Sequence, residues 1–194
     1  MIKNKYGAFI SEDMLSSRFG DHLYSCVDET QDVENGWVGF IGDPVEGEKN
    51  LYNLEQPTAA LIEKEELVVV MQAPEVLEGF SRADFRDEYF INEEGEAFRC
   101  YKPRVGDVFG ITDYTIDALN PVTGIQKGNY VIAQDGSNRL KEVAALVGTE
   151  VFVGQIRDFK GNGSPIFTAG INFNGNSNLT YASIYTLKNS KIAV

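Results

Sequence analysis

The chain has 194 residues, with 29 acidic side chains, 17 basic side chains and one histidine, and its net charge is −12. Such an acidic excess repels a phosphate backbone, and the basic residues are scattered singly, so we expect no direct binding of nucleic acid. The longest apolar run, residues 67–71, is too short to span about 30 Å of hydrocarbon, and we expect no membrane partner. Cys26 and Cys100 lack the CxxC spacing of a zinc or redox motif and are expected to be reduced, buried thiols.

The first half of the chain predicts short strands joined by turns, because Gly, Asn, Asp and Pro recur too often for long helices. Strands are expected over 6–10, 22–27, 37–41 and 67–72. One helical turn could begin at Ser11, and the pair Asn35-Gly36 favours a hairpin that leads into the strand at 37–41. The segment 67–72 is apolar on both faces, which predicts a strand in the middle of a sheet.

A charged stretch with interspersed aromatic residues follows. A short helix is possible within 80–96, with a turn at 93–96. Beyond it, short strands alternate with turn pairs, as is typical of a small barrel or sandwich. Strands are expected over 97–101, 108–111, 130–134, 139–141, 151–156 and 180–187, with a helical turn over 113–119. The segment 144–147 fits a helix and a strand equally well.

These patterns predict a mainly β protein. A small β-barrel or sandwich is expected in the C-terminal half, with an extended, turn-rich N-terminal part and one or two short helices. The division is a turn-rich β part over 1–95 and a barrel-like part over 96–194. The boundary is soft, and the two parts could form one domain.

No motif in the sequence predicts chemistry. His22, at the start of an expected strand, is interpreted as a surface or turn histidine, and one histidine without a Gly-x-Ser-x-Gly elbow does not support a serine triad. Asp28, Glu29, Asp32 and Glu34 lack the order of ligands of a calcium loop, which favours a solvated acidic loop. We therefore expect no enzyme, no catalytic or metal-binding residue and no cofactor.

Aromatic residues are the feature best suited to binding, since the chain has 12 Phe, 9 Tyr and 1 Trp. Tyr181 and Tyr185 are four residues apart in an expected strand, so both lie on one face of it. That face is either a contact surface or a layer of the core. Together with Trp37, these tyrosines form the predicted contact surface.

The order of several turn and strand signatures resembles that of small structural proteins of tailed bacteriophages, associated with the head as capsid decoration or auxiliary components. The signatures are Tyr6-Gly7, Asp13-Met14-Leu15, Glu34-Asn35-Gly36, Pro74-Glu75-Val76, the segment 92–101, Gly106-Asp107-Val108-Phe109, Gly128-Asn129-Tyr130-Val131 and Asp135-Gly136-Ser137. The family pattern defines turns and strands rather than a site, so it carries over no catalytic residue.

The resemblance implies a virion protein that decorates or stabilises the capsid by binding the major capsid protein and copies of itself. It would reside in the host cytoplasm before assembly and in the virion afterwards. The alternatives are a tail or baseplate component, a carbohydrate-binding β module with exposed aromatic rings, and, last, an enzyme built from scattered carboxylates. Monomer, dimer and trimer all remain open.

Overall fold

A computed structural model describes residues 6–14, 22–72, 90–161 and 180–190. Within these residues the chain forms twelve β-strands, one α-helix of a single turn and one 3-10 turn. The first strands are β1 (Phe9–Asp13), β2 (Leu23–Val27), β3 (Val38–Pro44) and β4 (Leu51–Glu55), followed by α1 (Ala59–Ile62), β5 (Val68–Val70) and β6 (Phe98–Tyr101). The second half contains β7 (Val108–Thr112), the 3-10 turn (Asp113–Thr115), β8 (Ile116–Asp117), β9 (Tyr130–Gln134), β10 (Ser137–Val143), β11 (Phe152–Gly161) and β12 (Thr180–Asn189).

Seven strands form a sheet in the order β1-β7-β12-β11-β9-β10-β8. Neighbouring strands are antiparallel except β8 and β10, which run parallel, with Leu140 opposite Ile116. The sheet is closely packed at Gly154, where an added Cβ would lie 2.5 Å from Ile184 Cγ2 and 2.8 Å from Val131 Cγ2. Gly154 is therefore the residue that allows β9, β11 and β12 to approach one another.

The other five strands close into a barrel in the order β2-β4-β3-β5-β6, with β6 pairing back to β2. Side chains of β2, β4, β5 and β6 fill its narrow interior. Together with Val33, they form one buried cluster, composed of Cys26, Leu54, Val68, Val70, Phe98 and Cys100.

The barrel and the sheet share the main hydrophobic core. Strand β5 shows how, because Val68 and Val70 point into the barrel while Val69 joins the cluster that contains Phe109 and Ile184 of the sheet. All three valines are fully buried. The prediction that this segment is apolar on both faces and central is confirmed, and the two layers pack as one body.

Buried side-chain amides connect the layers at what we call the seam. Asn189, the last residue of β12, accepts a hydrogen bond from Leu67 N–H (2.9 Å) and donates to the carbonyls of Leu67 and Pro103 (2.9 Å each). Asn138 of β10 donates to the carbonyl of Val38 at 3.0 Å. An amide both donates and accepts, as a peptide group does, so it can pair with backbone groups that would otherwise be buried without a partner.

The mainly β class, with a barrel, a sheet and one short helix, is confirmed. The closed barrel nevertheless lies over residues 23–101, in the first half of the chain, and the strands of the C-terminal half form the seven-stranded sheet instead. The barrel lies there because strands pair with partners that are distant in the sequence. Strand β6 closes the barrel against β2, and β1 leaves the N-terminal part to pair with β7, Phe9 standing opposite Ile111.

Two local predictions are wrong, and a third is confirmed only in part. Asn35-Gly36 does form a turn, with Gly36 at φ +85°, but β2 pairs with β4 and β6 instead of forming a hairpin with β3. Ser11 lies within β1 and starts no helix. The helical turn expected over 113–119 is shortened to Asp113–Thr115, because β8 follows at once.

Some elements of the structure were not predicted from the sequence. Strand β4 and helix α1 were not anticipated, and residues 144–147 form neither helix nor strand. The turn expected at 93–96 is confirmed, with Gly95 at φ +77°. Most of the possible helix within 80–96 lies outside the described residues.

Candidate functional site

Tyr181 and Tyr185 do share a face of β12, the one turned away from the main core. Tyr181 is fully buried there in a small cluster with Ala8, flanked by Ile10 and Tyr114. It therefore packs against residues of the N-terminal segment and presents no surface.

The other two predicted contact residues are partly covered. The Tyr185 ring is half-buried, and the Arg157 guanidinium carbon lies 3.4 Å from its centroid, which is a cation–π contact. Trp37 packs against the cluster inside the barrel, at the start of β3. The structure thus places the three rings in three separate environments.

The side chain of Glu12 links three strands on the outer face of the sheet, near Tyr181. Glu12 on β1 accepts a hydrogen bond from Ser183 Oγ on β12 (2.8 Å) and forms an ion pair with Lys160 on β11. Gly110 on the intervening strand makes this possible, since an added Cβ would lie 3.1 Å from Glu12 Oε1. Ser183 is buried, so this group of side chains joins three strands and offers a substrate no access to the hydroxyl.

His22 is buried and not at the surface as expected, and its Nδ1 lies 3.0 Å from the Lys102 carbonyl. Cys26 and Cys100 are free and buried, as predicted. Burial raises the pKa of the Cys100 thiol well above its ordinary value, and the adjacent Cys26 thiol raises it further. Cys100 therefore stays protonated at neutral pH and is a poor nucleophile.

Two carboxylates of the acidic loop, which was expected to be solvated, instead accept hydrogen bonds that hold backbone N–H groups in place. Asp28 is buried and accepts hydrogen bonds from Thr30 N–H (2.9 Å) and from the Gln31 side chain (3.1 Å). Glu34 accepts from Gly7 N–H at 2.6 Å. In the part of the chain that the structure describes, no three His, Cys, Asp or Glu side chains are grouped so that they could hold a metal ion.

A different region displays side chains to solvent in a fixed geometry. It consists of residues 118–126, between β8 and β9, and residues 143–149, which begin at the last residue of β10 and lead towards β11. We call it the neutral end because neither segment contains a charged residue. Four large apolar side chains are exposed there, namely Leu119, Val122, Leu146 and Val147. Val122 is 91% exposed and Val147 is 85% exposed.

Glu142, a fully buried carboxylate near the end of β10, holds the first segment. Its Oε2 accepts from Leu119 N–H (2.9 Å), and its Oε1 accepts from Gln126 N–H (2.7 Å) and from the Asn129 side chain (2.8 Å). At the tip, Asn120 Oδ1 accepts from Val122 N–H at 2.9 Å. Both ends of the segment and its apex are thereby fixed.

Glu150 holds the second segment in the same manner. Its carboxylate accepts from Val147 N–H and Gly148 N–H, each at 2.7 Å. Slight burial raises the pKa of Glu150, but these backbone N–H groups, its own N–H and the charge of Lys188 outweigh burial, so its pKa lies below the ordinary value. Val147 is therefore presented on a turn ordered by an ionised carboxylate.

Sheet topology brings the two segments together. Strands β8 and β10 run parallel and leave the sheet at the same end. Tyr130, the first residue of β9 after the first segment, stands opposite Val143, where the second segment begins. Sequence reasoning treated 144–147 only as a segment of ambiguous structure. Both segments are free of charged residues, but so is the longer stretch 161–187, so the absence of charge alone could not have identified the neutral end.

No protein-family model, no curated protein and no solved structure matches this chain. No helix in the described ranges has the length and apolar character needed to cross a membrane.

Proposed function

We propose that this chain is a non-enzymatic structural protein of a tailed-bacteriophage head, which stabilises the capsid by binding the major capsid protein. The observation that carries the proposal is the neutral end, where apolar side chains project from turns fixed by buried or ionised carboxylates. Depletion of charge and exposure of apolar groups are the marks of a surface that contacts protein. The order of turn and strand signatures that resembles phage head proteins supports the same role.

The shared core supports it as well. A shell component has to transmit force between its neighbours without deforming, and a barrel and a sheet packed on one core suit that purpose. Each copy needs only weak binding, because many copies on one particle add their contacts.

The test uses purified heads with and without this protein. Heads that lack it should lose integrity at a lower temperature, and adding the purified chain back should restore the resistance. Mass spectrometry of the particles would measure its copy number. Absence of the chain from purified particles, or an unchanged melting profile at full occupancy, would contradict the proposal.

The carbohydrate-binding alternative retains less support. Stacking on a sugar requires an exposed ring face, but Tyr181 is buried and Arg157 covers the ring of Tyr185, which leaves Trp37 as the candidate ring among the three. Saccharide binding on a glycan array that is lost in Trp37→Ala, with the fold intact, would favour this alternative.

A further inference from the structure

The turn before β3 contains Asn35 and Gly36, a pair that is prone to deamidation. In a flexible chain the backbone nitrogen of Gly36 attacks the side-chain carbonyl carbon of Asn35, because glycine has no side chain to shield that nitrogen. A C–N bond forms, ammonia leaves, and water opens the resulting succinimide ring to aspartate or isoaspartate. We infer that Asn35 is a deamidation site that the fold keeps unreactive, and that deamidation in an unfolded chain prevents its return to the native state.

Hydrogen bonds hold both reacting groups away from each other. The Asn35 amide donates to the carbonyl of Gln72 and accepts from its N–H, at 2.8 Å each. The amide of Asn92 lies 3.5 Å from the same Asn35 oxygen. The Gly36 N–H donates to the carbonyl of Val70 at 2.9 Å. Ring closure requires the two groups to turn toward each other, so these bonds must break first.

Packing covers the same turn. Asn35 is only 3% exposed, and a Cβ added at Gly7 would collide with its carbonyl oxygen. A Cβ added at Gly36 would lie 3.2 Å from the Ala8 carbonyl oxygen and from Ile111 Cβ. The N-terminal segment and β7 therefore keep water, the co-reactant of the second step, away from Asn35. Reaction has to wait for local opening of the turn.

Neither product can restore these contacts. An aspartate at position 35 has two acceptor oxygens, so the Gln72 carbonyl would face a buried carboxylate in place of an N–H donor. Isoaspartate adds a methylene group to the main chain beside Gly36, whose φ is +85°. A chain that deamidates at Asn35 while unfolded should therefore be lost from the folded population, which makes unfolding irreversible.

The first experiment incubates the purified full chain in native buffer and in concentrated guanidinium chloride, both at mildly alkaline pH. Peptide mass spectrometry follows the aspartate and isoaspartate formed at each Asn-Gly pair. In denaturant Asn35 should react about as fast as Asn162 and Asn174, which also precede glycine. In native buffer the rate at Asn35 should be lower by about a hundredfold or more, because only open molecules react.

Two results would overturn the protected site. One is an equal rate at Asn35 in native buffer and in denaturant. The other is an unreactive Asn35 in denaturant while Asn162 and Asn174 react.

The second experiment tests the consequence for folding. Asn35→Asp should unfold at a lower denaturant concentration than the wild type or fail to fold. The matched control Asn50→Asp, at an exposed position, should keep the wild-type midpoint. An Asn35→Asp variant with the wild-type midpoint would contradict the inference.

A measurement on the wild type does not depend on whether that variant folds. Chains held in denaturant until part of them has deamidated are diluted into native buffer, and the folded and unfolded fractions are separated. The folded fraction should be depleted of chains modified at Asn35. Equal modification of Asn35 in the two fractions would show that the products are tolerated and would refute the inference.

Discussion

At the seam, Asn189 offers both a carbonyl oxygen and an amide to the backbone of Leu67, whereas at the neutral end Glu142 and Glu150 offer only carboxylate oxygens. The difference follows from the backbone groups that need partners. A buried extended segment has both N–H and C=O groups that need partners, and a neutral side-chain amide can pair with both. Tight turns point several N–H groups inward, and a carboxylate gathers them. The seam should therefore be insensitive to pH, whereas the turn held by Glu150 should respond to it.

The largest effect is expected from breaking the seam. Asn189→Ala removes three hydrogen bonds and leaves buried backbone groups of Leu67 without partners. We expect the free energy of unfolding to fall by about 2–4 kcal/mol in chemical denaturation, since each orphaned buried group costs about 1–3 kcal/mol.

The control is Asn50→Ala, at an exposed position on the connection before β4. It should change stability by less than about 0.5 kcal/mol. Equal losses in the two variants would mean that the amide at position 189 does not join the layers.

A smaller effect is expected from Glu142→Gln. The glutamine amide places a donor where the carboxylate accepts from the N–H groups of Leu119 and Gln126, so one of these loses its partner. We expect a loss of about 1–3 kcal/mol in thermal or chemical unfolding.

Glu48→Gln, at an exposed residue of the turn between β3 and β4, is the matched control. Hydrogen exchange locates the change, because the amides of 119–126 should lose protection in Glu142→Gln while those of β12 retain it. Unchanged protection over 119–126 would exclude Glu142 as the brace of this segment.

The smallest effect is local and depends on pH. The pKa of Glu150 is lowered in the folded protein, so its contribution is complete above the ordinary pKa of about 4.3 and is lost as pH falls through the lowered value. In an NMR titration the amide protons of Val147 and Gly148 should shift as the pH falls below the ordinary pKa of a glutamate.

The amide proton of Val122 provides the internal control, because it donates to the neutral side chain of Asn120 and should not follow the same titration. Parallel shifts of the Val122 and Val147 amides would indicate general acid unfolding rather than loss of the Glu150 brace.

Local patterns predicted most of the strands because alternation and turn residues are encoded within a few positions. Strands β9 and β10, with the Asp135-Gly136 turn between them, and the doubly buried segment around Val68–Val70 are examples. Partners were not predictable in the same way. Nothing near Phe9 specifies Ile111 as its neighbour, and nothing near Leu23 specifies Tyr101, although the second pairing closes the barrel in the first half of the chain.

The neutral end was missed for a related reason. In β10 the buried positions alternate through Asn138, Leu140 and Glu142, but a glutamate in a run of charged residues is ordinarily assigned to solvent. The burial of Glu142 is explained by hydrogen bonds from the N–H groups of Leu119 and Gln126, which lie in an earlier segment of the chain. Likewise, Tyr181 could not be assigned to surface or core until β1 was placed beside it.

The position of β12 has a consequence for biosynthesis. Lying between β7 and β11, it occupies the middle of the sheet although it is the last of the described strands in chain order. Until residue 189 has emerged from the ribosome, β7 and β11 each lack a neighbour, and a nascent chain exposes their unsatisfied edges. The barrel can therefore fold early during translation, whereas insertion of β12 into the sheet is a late step. A polypeptide truncated before Thr180 would be prone to aggregation.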